Sequence, residues 1–561
     1  MIKFLKMKKP LFYLLSFTII ACSSPKNDEI QAAVVSARVE ASEIGLDVLK
    51  QGGNAYDAMV ATSFALTVVY PVAGNITGGG FFVYRTADGE TSTLDYREMA
   101  PLQSTKDLFL DENGNADPEK STIGGLAVGI PGAVAGILEI HKKLGSMPLE
   151  DLIRPAIDLA EKGYKVTEKQ ARSFARYRDL FIRVNGEDTF FAQNFSQGDT
   201  IKNPALANTL REIAKNGNRG FYEGWVAQAM VDKVKATGGI LSLEGLESYR
   251  PVWRDPVLFN YKELGLISMP PPSSGGICLA QMMQMVSEYD IKSMGFNSTE
   301  TMHLMIEAER RSYADRSHFL GDPDFVHVPQ SELISKSYVQ ERMSSYSPSK
   351  ATPSSELAHG EIQVMESDET THFSIVDSKG NAVAVTTTLN GAYGSKVFVD
   401  EIGVFMNNEM DDFSSKPGVP NMFGLTGSEA NSVAPKKRML SSMTPTIVTK
   451  NDKLYMVVGT PGGSTIITSV FQTVLNVYEH GMGMQEAVNA PRFHHQWLPD
   501  RVVLEPNKFN NIIIEGLQAM GHNISEEYSR IIGKVDAILV DDSGQISVGA
   551  DYRGDDAAAT Y

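Results

Sequence analysis

Helical and strand-like rhythms alternate along this chain. Ala32 to Gln51 is rich in Ala, Val and Leu and runs into Gly52-Gly53, which predicts a helix closed by a glycine cap. Asn54 to Val69 predicts a second helix, stopped by Pro71. Two strand-like runs follow, Phe81 to Arg85 and Thr91 to Tyr96, with the turn Ala87-Asp88-Gly89 between them. Apolar positions then recur at helical spacing, predicting amphipathic helices over Leu149 to Lys162, Leu206 to Asn216, Glu223 to Ala236 and Thr299 to Phe319. Ser344 to Glu361 breaks the pattern. It is rich in Ser, Pro, Thr and Lys and poor in large apolar residues, the composition of a mobile linker.

From Thr370 the rhythm shortens to two. Apolar residues alternate along Phe373-Ser374-Ile375-Val376, β-branched residues crowd Val383 to Thr388, and Ser378-Lys379-Gly380 supplies turn chemistry. A hairpin in which Asp377 and Asn381 close a three-residue loop sets Thr370 opposite Thr388, with Asn390 two residues on and on the same face. Directly opposed residues have Cβ atoms roughly 4.5–5.5 Å apart, within hydroxyl-to-hydroxyl reach. Further strands are expected at Tyr455 to Val458, Val502 to Leu504 and Ala537 to Val540, and helices at Ser464 to His480 and Asn511 to Met520. Strands mixed with helices, opening on an antiparallel hairpin, predict an α+β layered architecture.

Three hydrogen-bonding side chains thus converge at one end of a hairpin. An internal threonine hydroxyl is a weak nucleophile and needs an adjacent base. Cutting the Glu369–Thr370 bond would turn a non-basic amide nitrogen into an α-amine with a pKa of about 7.7–8.0, poised near neutrality. One residue would then supply both nucleophile and base. An ordinary Thr-rich edge strand carries the same alternation, so the hairpin alone does not decide the matter.

Composition narrows the options. The chain is 42% hydrophobic and 21% charged, as expected of a globular protein, and its formal charge of −17 argues against nucleic acid or an anionic lipid surface as partner. Only two cysteines are present, so no disulfide framework exists. His494 and His495 are adjacent rather than spaced to share a metal, and Gln496-Trp497 follow them. We expect that pair to be structural, and neither metal nor cofactor to be needed.

The N-terminus reads as a targeting segment. Lys3, Lys6, Lys8 and Lys9 precede an apolar stretch, Leu11 to Ala21, that is too short to span a bilayer, which needs roughly 20 apolar residues. Ile19-Ile20-Ala21-Cys22 resembles a bacterial lipobox, making residues 1–21 a signal peptide and Cys22 the lipidated residue, with a polar tether to Asp28. A plain secretory signal with an incidental Cys22 is the alternative. The expectation is an exported, membrane-anchored lipoprotein facing the periplasm of a Gram-negative-type bacterium.

Long motifs recur in a fixed order: GGNAYDA from Gly52, GNITGGGFFVYR from Gly74, DYREMAP from Asp95, VGIPGAVAG from Val128, PPPSSGGI from Pro270, GDPDF from Gly321, TTHFSIVD from Thr370, NNEMDDFSSKPGVPN from Asn407, LSSMTPTIV from Leu440, GTPGGS from Gly459 and NAPRFHHQWLPD from Asn489. With these the chain resembles the γ-glutamyltranspeptidase family of N-terminal-nucleophile hydrolases, over nearly everything from Ile30 to Tyr561. The resemblance implies a four-layer αββα sandwich built jointly by two fragments of one precursor, a large subunit of residues 22–369 and a small catalytic subunit of residues 370–561.

It also implies roles. Thr370 is the nucleophile, Thr388 orients it, and Glu369–Thr370 is the processing site. Arg97 would fork onto the α-carboxylate of a γ-glutamyl group, helped by Ser441 and Ser442. Asn390, Glu409 and Asp412 would accept from its α-ammonium. The backbone of Gly462 and Gly463, ahead of a helix, would form the oxyanion hole. The activity implied is transfer of the γ-glutamyl group of glutathione or related amides to water, amino acids or peptides. The family's lid loop, Lys416 to Gly427, carries Phe423 where several members have tyrosine, so a latching hydroxyl is missing. Two other readings are a glutaryl or cephalosporin acylase of the same superfamily and a non-catalytic lipoprotein that binds glutamyl compounds.

Overall fold

The computed structural model describes residues 30–357 and 370–561, Pro417 and Thr426 apart. The signal peptide, Cys22, Glu369 and the last part of the expected linker lie outside the described residues. Two antiparallel sheets face each other. The first has seven strands in the spatial order Ala557–Thr560, Ala33–Ser36, Thr371–Val376, Ala382–Thr388, Gly79–Arg85, Thr91–Asp95, Val252–Arg254. The second has six, in the order Ile546–Gly549, Asp536–Val540, Lys453–Gly459, Thr446–Lys450, Leu264–Ser268, Val257–Tyr261.

Three apolar clusters define the layers. Phe81, Val83, Ala384, Ile447, Val457 and Ile538 fill the space between the sheets. Phe82, Tyr84, Phe373, Ile375 and Val385 point the other way, against helices Ala55–Val69 and Ala133–Leu144. On the far face Leu266, Val448, Met456 and Val458 meet helices Gly275–Val286, Thr299–Phe319 and Thr465–Tyr478. Because side chains alternate along a strand, each sheet buries both faces, and helix–sheet–sheet–helix is the result. The αββα sandwich is therefore observed.

The hairpin has the expected register. Asp377 N–H donates to the Asn381 carbonyl (3.1 Å), Gly380 occupies the left-handed region (φ 91°), and Ala382 to Thr387 pair with Val376 to Thr371. The Asp377 carboxylate accepts from the N–H groups of Lys379 and Asn381 (3.0 Å each), fixing the turn. It is not an edge: Thr371–Val376 lies between Ala33–Ser36 and Ala382–Thr388, buried along its whole length.

Three expectations are corrected. Ala32 to Gln51 is not one helix: Ala33–Ser36 is a strand between two others, and the helix is Val39–Lys50. Tertiary pairing of the β-branched Val34-Val35 overrides the local helical composition. Thr299–Phe319 is helical but not amphipathic, since every residue from Thr301 to Arg316 is buried. The described part of the linker is not loose. Ala351 N–H donates to the Met520 carbonyl (2.7 Å), and Ser354, in the short turn Ser354–Glu356, is 1% exposed.

Candidate active site

Thr370 stands at the open end of the hairpin, 3% exposed, its hydroxyl 3.4 Å from that of Thr388. A one-residue slip in register would turn Thr388 away. Thr388 Oγ1 also accepts from the Asn390 N–H (2.7 Å), which requires Asn390 to take up a left-handed conformation (φ 74°), tolerated by Asn better than by most residues. Below the nucleophile, Ser374 Oγ donates to the Asp536 carbonyl (3.0 Å), so His372 Nε2–H donates to Ser374 and Nδ1 accepts from Thr386 (2.9 Å). Burial pulls the His372 pKa down to about 3, keeping the ring neutral. This polar stitch ties the nucleophile strand to the second sheet, and motif matching had assigned it nothing.

One small cavity, about 20 Å³, is lined by Arg97, Thr370, Thr388, Asn390, Glu409, Asp412, Ser441, Ser442 and Gly463, together with Phe423, Leu425, Met443 and Ile466. Gly462 sits directly behind Gly463. A recess of about 1040 Å³ lies at the other end of the hairpin, around Asp377, Lys379 and Lys453; size alone would have chosen it. Gly462 and Gly463 have φ of 137° and 53°, a backbone that favours glycine, just ahead of helix Thr465–Tyr478. Among the described residues neither N–H has a hydrogen-bond acceptor, as an oxyanion site requires.

Arg97 is 1% exposed and forked between Glu409 and Asp412, with Glu98 3.8 Å away. The groups expected to hold opposite ends of a ligand therefore hold each other. Burial opposes the guanidinium charge, but Glu409, Asp412 and Glu98 outweigh it and raise its pKa. Burial likewise lifts the carboxyls of Glu98, Glu409 and Asp412 above the usual range, with Arg97 opposing. Sequence reasoning missed Arg316, whose Nη2 donates to Ser442 Oγ (3.1 Å) and Nε to Ser274 Oγ (2.9 Å). Its only sequence signal is a third arginine in a helix that proves to be buried.

The cavity holds about one water molecule's volume because a loop covers it. Asn421 Nδ2 donates to Asp412 (2.9 Å), Met422 N–H to Asp411 (2.9 Å), and Gln496 Nε2 to the Phe423 carbonyl (3.2 Å). Met422 Sδ accepts from the side-chain amides of Asn390 and Asn408 (3.6 Å each). The lid is thus latched without a tyrosine hydroxyl, and the Phe423 ring packs on Gly463 so closely that a Cβ there would sit 2.4 Å from it.

His494 and His495 are buried and hydrogen-bonded to Thr468, Gln496 and Asp500. A different trio, His303, Glu307 and His522, brings ligand atoms within 4.8 Å of one another. Its fit to a cation is poor. Glu307 Oε1 accepts from Arg310 and the Thr352 N–H, Oε2 accepts from Arg311 (2.6 Å), and His303 bonds His522 directly (2.7 Å). Two guanidinium groups beside the one carboxylate oppose a metal ion.

The family model for Gamma-glutamyltranspeptidase matches residues 41–561. The chain is 44% identical over 536 residues to "Glutathione hydrolase proenzyme" of Escherichia coli (strain K12), covering 95% of this chain and 92% of that protein. Among solved structures, a cephalosporin acylase from Bacillus halodurans is similar with a TM-score of 0.84 at 26% identity, covering 98% of this chain and 99% of that one. A Helicobacter pylori gamma-glutamyltranspeptidase chain is similar with a TM-score of 0.57 at 44% identity, covering 59% of this chain and 96% of that one.

Proposed function

The chain belongs to the γ-glutamyltranspeptidase family, and on that premise we propose that it is a glutathione hydrolase and γ-glutamyltransferase that activates itself by cutting Glu369–Thr370. The observation that carries this reading is the meeting of Thr370, Thr388 and Gly463 in one cavity with Arg97, Glu409 and Asp412. In maturation, Thr370 Oγ attacks the Glu369 carbonyl carbon, the C–N bond breaks, the proton passes to the departing amine, and water hydrolyses the resulting ester. Residues 22–369 and 370–561 then remain together as two subunits. The Helicobacter pylori chain, almost fully covered while matching only part of this one, is consistent with such a division.

In turnover the freed α-amine takes the Thr370 hydroxyl proton as Oγ attacks the γ-glutamyl carbonyl, and Thr388 orients the hydroxyl. The Gly462 and Gly463 N–H groups receive the developing oxyanion, where one donor is worth about 2.7–4 kcal/mol. Arg97, with Ser441 and Ser442, binds the α-carboxylate; Glu409, Asp412 and Asn390 bind the α-ammonium. The leaving amine departs with the transferred proton, and water or an acceptor amine resolves the ester. A glutaryl acyl group offers Arg97 a carboxylate but brings no ammonium, so Asp412 and Glu409 would be left without a cation, which disfavours a glutaryl acylase.

The test is a denaturing gel of the chain from Ser23 beside Thr370→Ala, with N-terminal sequencing and paired γ-glutamyl-anilide and glutaryl-anilide assays. Two bands, the smaller beginning at Thr370, with turnover of the γ-glutamyl substrate are expected. An uncut wild type would remove the mechanism, and preference for glutaryl-anilide would move the chain to the acylases.

Export and anchoring through Cys22 rest on the sequence of residues 1–22. Among the described residues no helix is long and apolar enough to cross a membrane. Palmitate labelling that survives Cys22→Ser would contradict the anchor.

A further inference from the structure

The segment upstream of the proposed cut is strapped down, and both prospective fragments hold it. On the large-fragment side, helix Thr299–Phe319 presents three residues to it. His303 Nε2–H donates to the Ser347 carbonyl (2.7 Å), Glu307 accepts from the Thr352 N–H (3.1 Å), and Arg311 Nη2 donates to the hydroxyls of Ser345 (2.9 Å) and Thr352 (3.1 Å). On the small-fragment side the contacts converge on Ser354. Its hydroxyl donates to the Trp497 carbonyl (2.6 Å), its N–H to Asp500 (2.7 Å), and its carbonyl accepts from the Trp497 indole N–H (3.1 Å). Arg310 closes the node, donating to both Ser354 Oγ (2.5 Å) and Asp500.

Trp497 holds this geometry at a conformational price. It is a bulky residue in the left-handed region (φ 68°), 2% exposed, with its own N–H donating to His495 Nδ1 (3.1 Å). Such a backbone persists only where its surroundings over-determine it, and such residues concentrate at functional positions. The catalytic scheme above uses none of Trp497, Asp500, Arg310 or Ser354.

We infer that the Trp497–Asp500 turn is the docking site for this strap, and that Ser354, Trp497 and Asp500 are positioning residues for self-cleavage. The inference rests on the proposed cut at Glu369–Thr370. The chain between Leu357 and Thr370 can extend at most about 45 Å. A chain anchored at Ser354 pays less entropy to bring its Glu369 carbonyl to Thr370 Oγ than one free at its upstream end. The bonds made and broken are those of maturation above; the node touches neither reacting atom.

The test follows cutting of newly made full-length chain on denaturing gels, with thermal melting and γ-glutamyl-anilide turnover measured in parallel. Ser354→Asp, which sets a carboxylate against Asp500, is expected to lengthen the half-time of cutting at least about tenfold. Ser354→Thr, which keeps the hydroxyl, should stay within about twofold of wild type, and Ser354→Asp enzyme that has cut should keep kcat/KM within about twofold. Cutting at the wild-type rate in Ser354→Asp overturns the inference, as does a kcat/KM that falls in step with cutting. Ile153→Ala, in the helical layer behind the first sheet, serves as a melting-matched control; equal slowing there reduces the node to a stability effect and overturns it too. If Ser354→Asp does not fold, Trp497→Phe removes the indole N–H together with part of the ring: cutting at least about threefold slower than in an Ile153→Ala control of equal melting temperature supports the inference, and a half-time no longer than that control's overturns it. A wild type that never cuts removes the parent reading instead, a result none of the variant outcomes can imitate.

Discussion

Arg97 and Arg311 are almost equally buried, at 1% and 0% exposure, but they keep opposite company. Arg97 is one cation among three carboxylates, Glu98, Glu409 and Asp412, and among the described residues neither Glu98 oxygen nor Glu409 Oε2 finds a donor. Around Arg311 the charges balance, two guanidinium groups to two carboxylates. Arg310 and Arg311 share Glu307, and their remaining donors meet Asp500, Ser345, Thr352, Ser354 and backbone carbonyls. A buried acceptor without a donor costs about 1–3 kcal/mol. The cluster beside Thr370 tolerates that cost and holds three acidic groups to one guanidinium, as a site awaiting an ammonium group should. In the strap cluster no buried side-chain atom of Arg310, Arg311, Glu307 or Ser354 lacks a partner, as a structural joint requires.

Exchanging the two arginines is the strongest way to break the contrast. Arg97→Met should lower kcat/KM for γ-glutamyl-anilide at least about 10³-fold, roughly 4 kcal/mol of transition-state binding, in the enzyme that folds. Arg311→Met should leave Glu307 with one arginine fewer and cost about 3–5 kcal/mol of stability in a urea titration, while the enzyme that folds keeps kcat/KM within a few-fold. The opposite pattern would mean the clusters have been misread.

A smaller effect sharpens the ammonium assignment. Asp412→Asn should reduce kcat/KM for γ-glutamyl-anilide about 10²-fold and for glutaryl-anilide far less, because only the first substrate brings the cation. Equal losses would deny Asp412 that role.

The excess of acidic groups also predicts a pH signature. Burial raises the Glu409 carboxyl above its ordinary value of 4.5, so the folded protein holds this proton more tightly than the unfolded chain. Its contribution to stability is therefore present below pH 4.5 and is lost as pH rises through the raised value. Relative to Glu409→Gln, wild type should lose stability upward from pH 4.5 while its affinity for an ammonium-bearing donor grows; parallel urea titrations and KM values across that range check both signs. Smallest of all, Phe423→Tyr should shift the ratio of transfer to hydrolysis by less than about threefold, because Met422, Asn421 and Gln496 already latch the lid. A tenfold shift would show that the missing hydroxyl matters more than these contacts.

How much of this could be read in the sequence depended on whether local chemistry and tertiary demand agreed. At the hairpin they agree: Asp377, Gly380 and Asn381 dictate the turn, period two dictates the faces, and the Thr370–Thr388 pairing follows. Ordered motifs also brought nearly every site residue into one cavity. Where the two disagree, composition misled. Ser345, Thr352 and Ser354 read as loose linker because small hydroxyl residues usually are, yet here each satisfies a buried arginine. An amphipathic helix would put Glu307, Arg310 and Arg311 on its wet face, and their mutual neutralisation inside the protein is visible only in three dimensions. Arg316 behind Ser442 and Asp411 beneath the lid were illegible for the same reason.

The first sheet also brings residue 31 beside the last residue, Tyr561. Gln31 N–H donates to the Tyr561 carbonyl (2.7 Å), and the strands Ala33–Ser36 and Ala557–Thr560 lie side by side. A short peptide could therefore join residue 561 to residue 31, and the gene could be reopened at codon 370. Such a circular permutant would be born with threonine exposed once its initiator methionine is removed. It would need no self-cleavage, and its activity would report the chemistry of turnover free from that of maturation.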